Sequence, residues 1–596
     1  MAVLPRRGPS GSGVTRVPVG VTQVPWHTPM LSGILKPLKP MQRRISLTIA
    51  VFLPLVPLLA PAQERADLSV IHKIKEAELG GGGRGGFGGG GGGRGGSQSQ
   101  VMNIMYNLTD RYGPRLTNSP QFRAAGEWAT GQLKEWGLSN VHLEKWATTG
   151  GRGGAIPGWQ ITAYNGAMVE PTYMPIIGYP QAWTGGTNGP LTGEVTMAQI
   201  QAPADLDKYH GKLKGKIVLL TQPPELPFPT NPLARRYTDA ELADLVPELL
   251  PVPGGRGGRG GRGGQPNALA NMTPEERQAF NDKQRTFFQD EGALMTVTTS
   301  GRGESGTVFA SNGGSRTGDP TKNLPAVAIT AENYNRIARL AEHNVPVKLA
   351  FDIKVQFDTG NTDSFNVIAE IPGTTKPNEL VMVGGHFDSW HMGTGATDNA
   401  AGSAVAMEVM RILKSLNLKM DRTVRMGLWG GEEQGLLGSA AYVKEHFADP
   451  ATMKPTTEHD NFSSYFNVDN GTGRIRGIYL QGNEMARPIF EAWFAAIKDL
   501  TPGVITIRDT GGTDHQSYDR VGLPGFQFIQ DPMDYDTRTH HSNMDVYDRI
   551  QPTDMEQMAI VEAAFVYNAA TRPEKFPRKD LPAPVPPGGR GGGRGN

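Results

Sequence analysis

The sequence predicts an α/β protein: a mainly parallel mixed sheet with helices on both faces, interrupted by an inserted β-rich domain. Three observations lead there. After Ser364, short apolar runs alternate with amphipathic helical stretches, the rhythm of a parallel sheet. Between about 166 and 352 the runs are short and separated by Gly, Pro and Asp turns, the texture of a separate β unit. Histidines and carboxylates recur where the later apolar runs end, the edge at which such sheets gather functional groups.

Taken in order, the chain opens on residues 1–62, read as a leader. Residues 1–40 have no period and are expected to lie upstream of a true start at Met41. The stretch 41–62, MQRRISLTIAVFLPLVPLLAPA, pairs two arginines with an apolar run of signal-peptide length and a small-residue site, with cleavage expected after Ala62. Export to the periplasm or beyond follows, with no stable membrane insertion after cleavage. Residues 63–165 are assigned to the N-terminal part of the catalytic domain. Within them Val101–Trp136 has helical periodicity broken by the turn YGPRLTNSP, and a Gly-Arg tract fills 80–96.

The insertion is placed at 166–352, with strands in TYMPIIGY, GEVTMAQ, GKIVLLTQ, ALMTVTTS, AVAIT and VKLAFDIKVQF and helices at Thr273–Gln289 and Ala331–Glu342. A second Gly-Arg tract at 254–264 reads as an expanded surface loop. The main catalytic part is 353–575, and 576–596 reads as a disordered Gly/Pro/Arg tail. Gly-Arg repeats occur in RNA-binding segments, but an exported chain with 59 basic and 58 acidic residues gives no reason to expect a nucleic-acid partner. The chain has no cysteine, which removes thiolate catalysis, disulfides and Cys-ligated metal and leaves His and carboxylates as the strong ligands.

Those ligands stand at four strand exits. VMVGG ends in His386-Phe387-Asp388, and a Gly-rich turn leads on to Asp398-Asn399. RMGLWGG ends in Glu432-Glu433, YFNV in Asp469, and FQFIQ is followed by a loop holding His540-His541-Ser542-Asn543-Met544-Asp545. Two divalent cations about 3.5–4 Å apart need a bridging carboxylate with His and carboxylate ligands on each side, plus an unligated carboxylate as proton acceptor. An all-N/O set suits zinc best, with cobalt or manganese as substitutes. In the Glu-Glu pair, one residue can ligate while its neighbour serves as base.

The series HFDS, GATDNAAG, GGEEQGLLGS, NVDNGTG, TDHQSYDRVGLPG and HHSNMD resembles the co-catalytic di-zinc exopeptidases: secreted leucine aminopeptidases, glutamate carboxypeptidases and, nearest in layout, carboxypeptidase Q. The resemblance covers 363–570 and implies two zinc ions per chain. It puts His386 and Asp469 on one, Glu433 and His541 on the other, and Asp398 between them. It makes Glu432 the general base, Asp388 the holder of the His386 ring, and the Asp398–Asn399 peptide cis. It also implies that 166–352 is a protease-associated domain. His541 is preferred to His540 because only His541 meets Asp545 at the family's His-Ser/Thr-x-x-Asp interval. His540 stands where some relatives have a tyrosine and is expected to donate to the oxyanion.

Aminopeptidase or dipeptidase action on short peptides is the expected activity. A glutamate-releasing carboxypeptidase, for which Arg508 or Arg538 would have to grip the terminal carboxylate, and an inactive binding module are the alternatives. A peptide is the expected partner, and a homodimer is admitted. His391 reads as a pocket-wall or surface residue, His515 as a substrate contact or turn, and His446 and His459 as surface residues. Trp390 and Trp429 shape the pocket or fill the core.

Overall fold

The computed structural model describes residues 64–80, 99–147, 155–200, 202–246, 272–300, 302–309, 313–315 and 319–584. The expected leader, nearly all of the first Gly-Arg tract, the second tract and the last twelve residues lie outside them.

The first sheet has eight strands: β1 Ser139–Trp146, β2 Ser364–Ile371, β3 Lys376–His386, β4 Arg422–Trp429, β5 Phe462–Asn467, β6 Ile475–Tyr479, β7 Val504–Thr506 and β8 Gly525–Gln530. Their spatial order is β1-β2-β4-β3-β5-β8-β6-β7. The four central strands β4, β3, β5 and β8 run parallel, and antiparallel pairs enter only on the flanks, β1 with β2, β2 with β4 and β6 with β8. The expected mixed α/β sheet is therefore present.

Alternation along the strands explains why both faces are covered. In β3, Val381 and Val383 join one apolar cluster, and Leu380 and Met382 join another. The first cluster is sealed by the helices Ala401–Ser415 and Pro552–Thr571, the second by the helix Leu437–His446 with Tyr465 and Tyr518. A period-2 chain with both sets of side chains apolar must be buried on both sides. Each large side chain so enclosed contributes roughly 1.5–3 kcal/mol.

Residues 576–584 depart from the expected disordered tail. Phe576 is buried in the aromatic cluster of Phe490, Trp493 and Phe526, and Arg578 donates to the carbonyl of His459 at 2.7 Å. An aromatic anchor with a cation beside it holds this stretch to the domain despite its prolines.

A second eight-stranded sheet is built from residues between Gly158 and Asp358. Its longest pairing, Gly158–Glu170 against Lys348–Asp358, straddles the boundary expected at 165/166. The helix Pro274–Asp290 opens on a reciprocal cap, Thr273 N–H to the Glu276 carboxylate at 2.7 Å and Glu276 N–H to the Thr273 hydroxyl at 3.1 Å. No helix among the described residues is long and apolar enough to cross a membrane.

Candidate metal centre

The four strands whose exits carry the proposed ligands are the four consecutive parallel strands at the centre of the sheet, so their C-terminal ends converge on one spot. Asp398 lies at the middle of it. Oδ1 of Asp398 is 3.1 Å from His386 Nε2, which is in turn 3.3 Å from Asp469 Oδ1. Oδ2 of Asp398 is 3.1 Å from His541 Nε2, which is 2.8 Å from Glu433 Oε2. One carboxylate thus faces two His/carboxylate pairs with its two oxygens. Ligand atoms bonded at about 2.0–2.1 Å in a tetrahedral arrangement sit about 3.3 Å apart, close to these separations.

The buried oxygens test the fit independently. Glu433 Oε1 is enclosed without a hydrogen-bond partner, and Asp398 Oδ2 and Asp469 Oδ1, equally enclosed, meet only the ring nitrogens of His541 (3.1 Å) and His386 (3.3 Å). Leaving such atoms unsatisfied is costly, and cations are the natural partners for several at once. Burial, then repulsion from Asp398, pushes Glu433 up to about 7 despite its contact with His541. Burial pulls His541 down, but Glu433 and Asp398 outweigh it and carry the ring up to about 10. Burial likewise opposes the charge on His386, yet Asp469 and Glu432 hold its pKa well above the ordinary value.

Glu432 is the carboxylate left outside the two trios. It is buried, with Oε2 4.0 Å from His386 Nε2, and burial raises its pKa well above the usual range, helped by Asp469 and Asp514. The Asp388 carboxylate lies beneath the Glu-Glu turn, accepting from Glu432 N–H at 3.0 Å, Glu433 N–H at 3.4 Å and the Thr117 hydroxyl at 2.8 Å. The His386 ring meets Asp388 through the backbone of that residue. Nδ1 is 2.9 Å from the backbone carbonyl of Asp388 and 3.8 Å from its carboxylate. Two backbone N–H groups have claimed the carboxylate, and the carbonyl takes the ring.

The Asp398–Asn399 peptide is cis, as the resemblance implies. Gly395 makes the preceding turn with φ +65°, where a Cβ would fall 2.3 Å from that of Ser389. Asp545 accepts from Thr397 N–H at 2.6 Å and Asp398 N–H at 3.2 Å, fixing the bridging residue from behind. His540 Nε2 is 3.7 Å from Asp398 Oδ2, its ring 4.7 Å from Tyr535 and 3.9 Å from His541. Ring nitrogens of both histidines and an Asp398 oxygen lie close enough together to hold one ion, and His541 also meets Glu433 at 2.8 Å.

Several groupings were not legible beforehand. Arg115, inside the turn YGPRLTNSP, is wholly buried and donates to the carbonyls of Phe387 (2.8 Å), Thr394 (3.0 Å), Gly395 (2.9 Å) and Leu108, tying the His386 strand end to the Asp398 turn. A basic residue in a Gly/Pro turn ordinarily faces water, so periodicity carried no signal for it. His391 is buried against Trp159, its Nε2 2.8 Å from the Pro180 carbonyl, and is neither pocket wall nor surface. His459 is buried with Nε2 against the Val521 carbonyl, and His446 is half-buried between Glu144 and Glu458. His515 is buried against Gln481 and the Thr510 carbonyl, a structural turn. Trp429 is core and donates to the Tyr465 hydroxyl at 2.8 Å, while Trp390 flanks His541 at 6.1 Å.

A cleft of about 670 Å³ opens over the candidate ligands, lined among others by Glu432, Glu433, Asp469, Tyr479, Tyr535, Asp536 and His541, and by Tyr237 from the segment that follows the strand Lys216–Leu219. Neither Arg508 nor Arg538 lines it, and Arg508 donates instead to the Asp244 carbonyl at 2.8 Å.

Residues 366–566 match peptidase family M28. The chain is related to the M28 peptidases. Carboxypeptidase Q of Mus musculus is 27% identical over 477 residues, covering 79% of this chain and 86% of the relative. Aminopeptidase YwaD of Bacillus subtilis is 27% identical over 259 residues, 42% of this chain and 53% of its own length. Among solved structures, the peptidase M28 precursor of Shewanella amazonensis SB2B superposes with a TM-score of 0.58 at 22% identity, covering 87% of this chain and 99% of that one. The zinc aminopeptidase BSAP of Bacillus subtilis gives 0.51 at 19% identity, covering 80% and 96%. The M28 fold and the metallopeptidase class follow from these matches.

Proposed function

We propose that the protein is an exported di-zinc exopeptidase of the aminopeptidase or dipeptidase kind, acting on short peptides. The observation that carries this reading is Asp398, whose two oxygens face two separate His/carboxylate pairs. His386 and Asp469 would hold one ion, Glu433 and His541 the other. Bound zinc would supply Lewis acidity toward the scissile carbonyl and acidify the attacking water.

The chain's own residues do the rest. Glu432, its backbone N–H fixed on Asp388, takes the proton from the water and returns it to the leaving amine as the C–N bond breaks. A carboxylate whose pKa burial lifts well above the usual range is suited to both transfers. His540 donates to the oxygen that gains charge during attack.

The direction of attack is argued from the cleft. With Asp398, Glu433 and Asp469 taken as ligands and Glu432 as base, Asp536 is the carboxylate left on its wall, and no lysine or arginine lines it among the described residues. Such a wall favours an amino terminus over a second carboxylate. The similarity to carboxypeptidase Q supports a second reading, release of the C-terminal residue.

Hydrolysis of aminoacyl-p-nitroanilides and dipeptides, each also with a blocked amino or carboxyl end, separates the two. Cleavage should survive a carboxyl block, stop with an amino block and vanish with chelator. Cleavage of amino-blocked peptides alone would give the carboxypeptidase reading, and chelator-resistant turnover would remove both.

A further inference from the structure

The loop between β8 and His541 is gripped at both ends by the second sheet's domain. At its start, Arg235 and Met533 form an antiparallel bridge, with Arg235 N–H donating to the Met533 carbonyl at 3.0 Å. The Arg236 guanidinium spans Asp531 (2.9 Å) and Asp554 (2.7 Å), two carboxylates with no exposed side-chain surface. Tyr237 N–H donates to Asp531 at 3.1 Å, and the Thr537 hydroxyl to the Leu233 carbonyl at 2.7 Å.

At its end, Phe309 and Ser542 form a second bridge. Asn543 N–H donates to the Val308 carbonyl at 3.0 Å, and Val308 N–H returns a bond to the Asn543 side chain at 2.8 Å.

The backbone between these grips is strained at the same places. Met533 (φ +45°) and His541 (φ +64°) both sit in the left-handed region that side-chain-bearing residues avoid. Met533 is itself a bridge partner, and His541 immediately precedes one. Such conformations persist only where the surroundings over-determine them, and here the determining contacts come from another domain.

We infer that segments 233–237 and 306–309 form a clamp that positions His541, with Arg236 and Asn543 as its positioning residues. The clamp sets the occupancy of the Glu433/His541 half of the metal site and leaves the His386/Asp469 half to the sheet. The same segment carries Tyr237 into the cleft, so one device orients a ligand and builds a substrate wall. This rests on the two-ion reading above.

The test titrates zinc into the metal-free full-length protein against a competing fluorescent chelator. Wild type should take up two ions. Arg236→Ala should weaken one of them about 10-fold or more and leave the other within about twofold. Arg236→Lys should recover part of the loss. Asn543→Ala, at the opposite grip, should weaken the same ion, and Tyr237→Phe, whose anchor is a backbone N–H, should leave both unchanged.

Both alanine variants keeping both affinities within about twofold of wild type, even with a lowered Tm, would assign the contacts to domain stability and overturn the clamp. A wild type that takes up fewer than two ions would overturn it as well. Wild type that binds zinc as described yet cleaves no peptide would remove the proposed activity and leave the clamp standing.

Discussion

Replacing Arg115 with methionine tests whether the ligand geometry depends on a buried cation outside the ligand set. The methionine keeps the aliphatic stem and removes every donor, stranding the carbonyls of Leu108, Phe387, Thr394 and Gly395. A hydrogen bond from a charged donor contributes about 1.5–3 kcal/mol, so four taken independently would amount to about 6–12 kcal/mol. That would consume nearly all of a typical stability of about 5–15 kcal/mol, and it overstates the loss, because removing the guanidinium also removes its own desolvation cost. Burial is the dominant influence on this group and draws its pKa down to about 10, even with Asp545, Asp388 and Asp398 opposing. The expected net destabilisation is therefore about 3–5 kcal/mol, as for one half of a buried pair. At about 2 °C per kcal/mol for a domain of this size, Tm should fall by about 6–10 °C. Because the lost bonds join the His386 strand end to the Asp398 turn, zinc affinity should fall as well. Arg115→Lys retains the charge without the planar fork and should fall between the two. Thermal unfolding with and without zinc makes the measurement. A Tm within 2 °C of wild type with zinc binding intact would show that these carbonyls find water or other donors, and the argument would fail.

Glu432→Gln should lower kcat by about 10²–10⁴-fold while two zinc ions still bind, whereas Asp398→Ala should lose metal together with activity; metal analysis beside initial rates separates the two. Burial holds His391 and His515 neutral, each drawn down to about 4, while the unfolded chain takes up those protons near 6.5. Stability should accordingly fall as pH drops from 6.5 toward 4, by about 2 kcal/mol per histidine at pH 5, and urea midpoints of His391→Asn should depend less steeply on pH than wild type. His446 behaves oppositely. Burial disfavours its charge, but Glu144 and Glu458 outweigh that and raise it to about 9, so its contribution is complete below 6.5 and lost as pH rises through 9. Its partial exposure limits this to about 1 kcal/mol, and His446→Gln should flatten the decline in Tm between pH 7 and 9.5.

The parallel centre of the sheet was legible because ELVMVGG, TVRMGLWGG, YFNVD and FQFIQ are apolar on both faces, a pattern that only a doubly covered strand makes stable. Their exits were legible because histidine and carboxylate side chains are poor neighbours for such runs unless chemistry keeps them. Arg115 and the Arg236 segment were not. Both act across long sequence separations, Arg115 on residues 272–280 positions away and Arg236 on residues 295 and 318 away, with no local period to mark them. The strand Gly158–Glu170 escaped because its mid-section is polar and half-exposed, and only its partner Lys348–Asp358 makes it a strand.

The same division explains which parts of the site read clearly. Ligand identity is a local property, since a strand end must present a particular side chain, and so it is written in short motifs. Ligand orientation is a tertiary property. The Asp388 carboxylate under the Glu-Glu turn, Asp545 behind Asp398 and the bridges from Arg235 and Phe309 to the His541 loop all lie far in sequence from what they meet. A variant that preserves every motif residue can therefore still lose the site, through Arg115 or Arg236, and those are the positions where substitution separates a ligand set from a working centre.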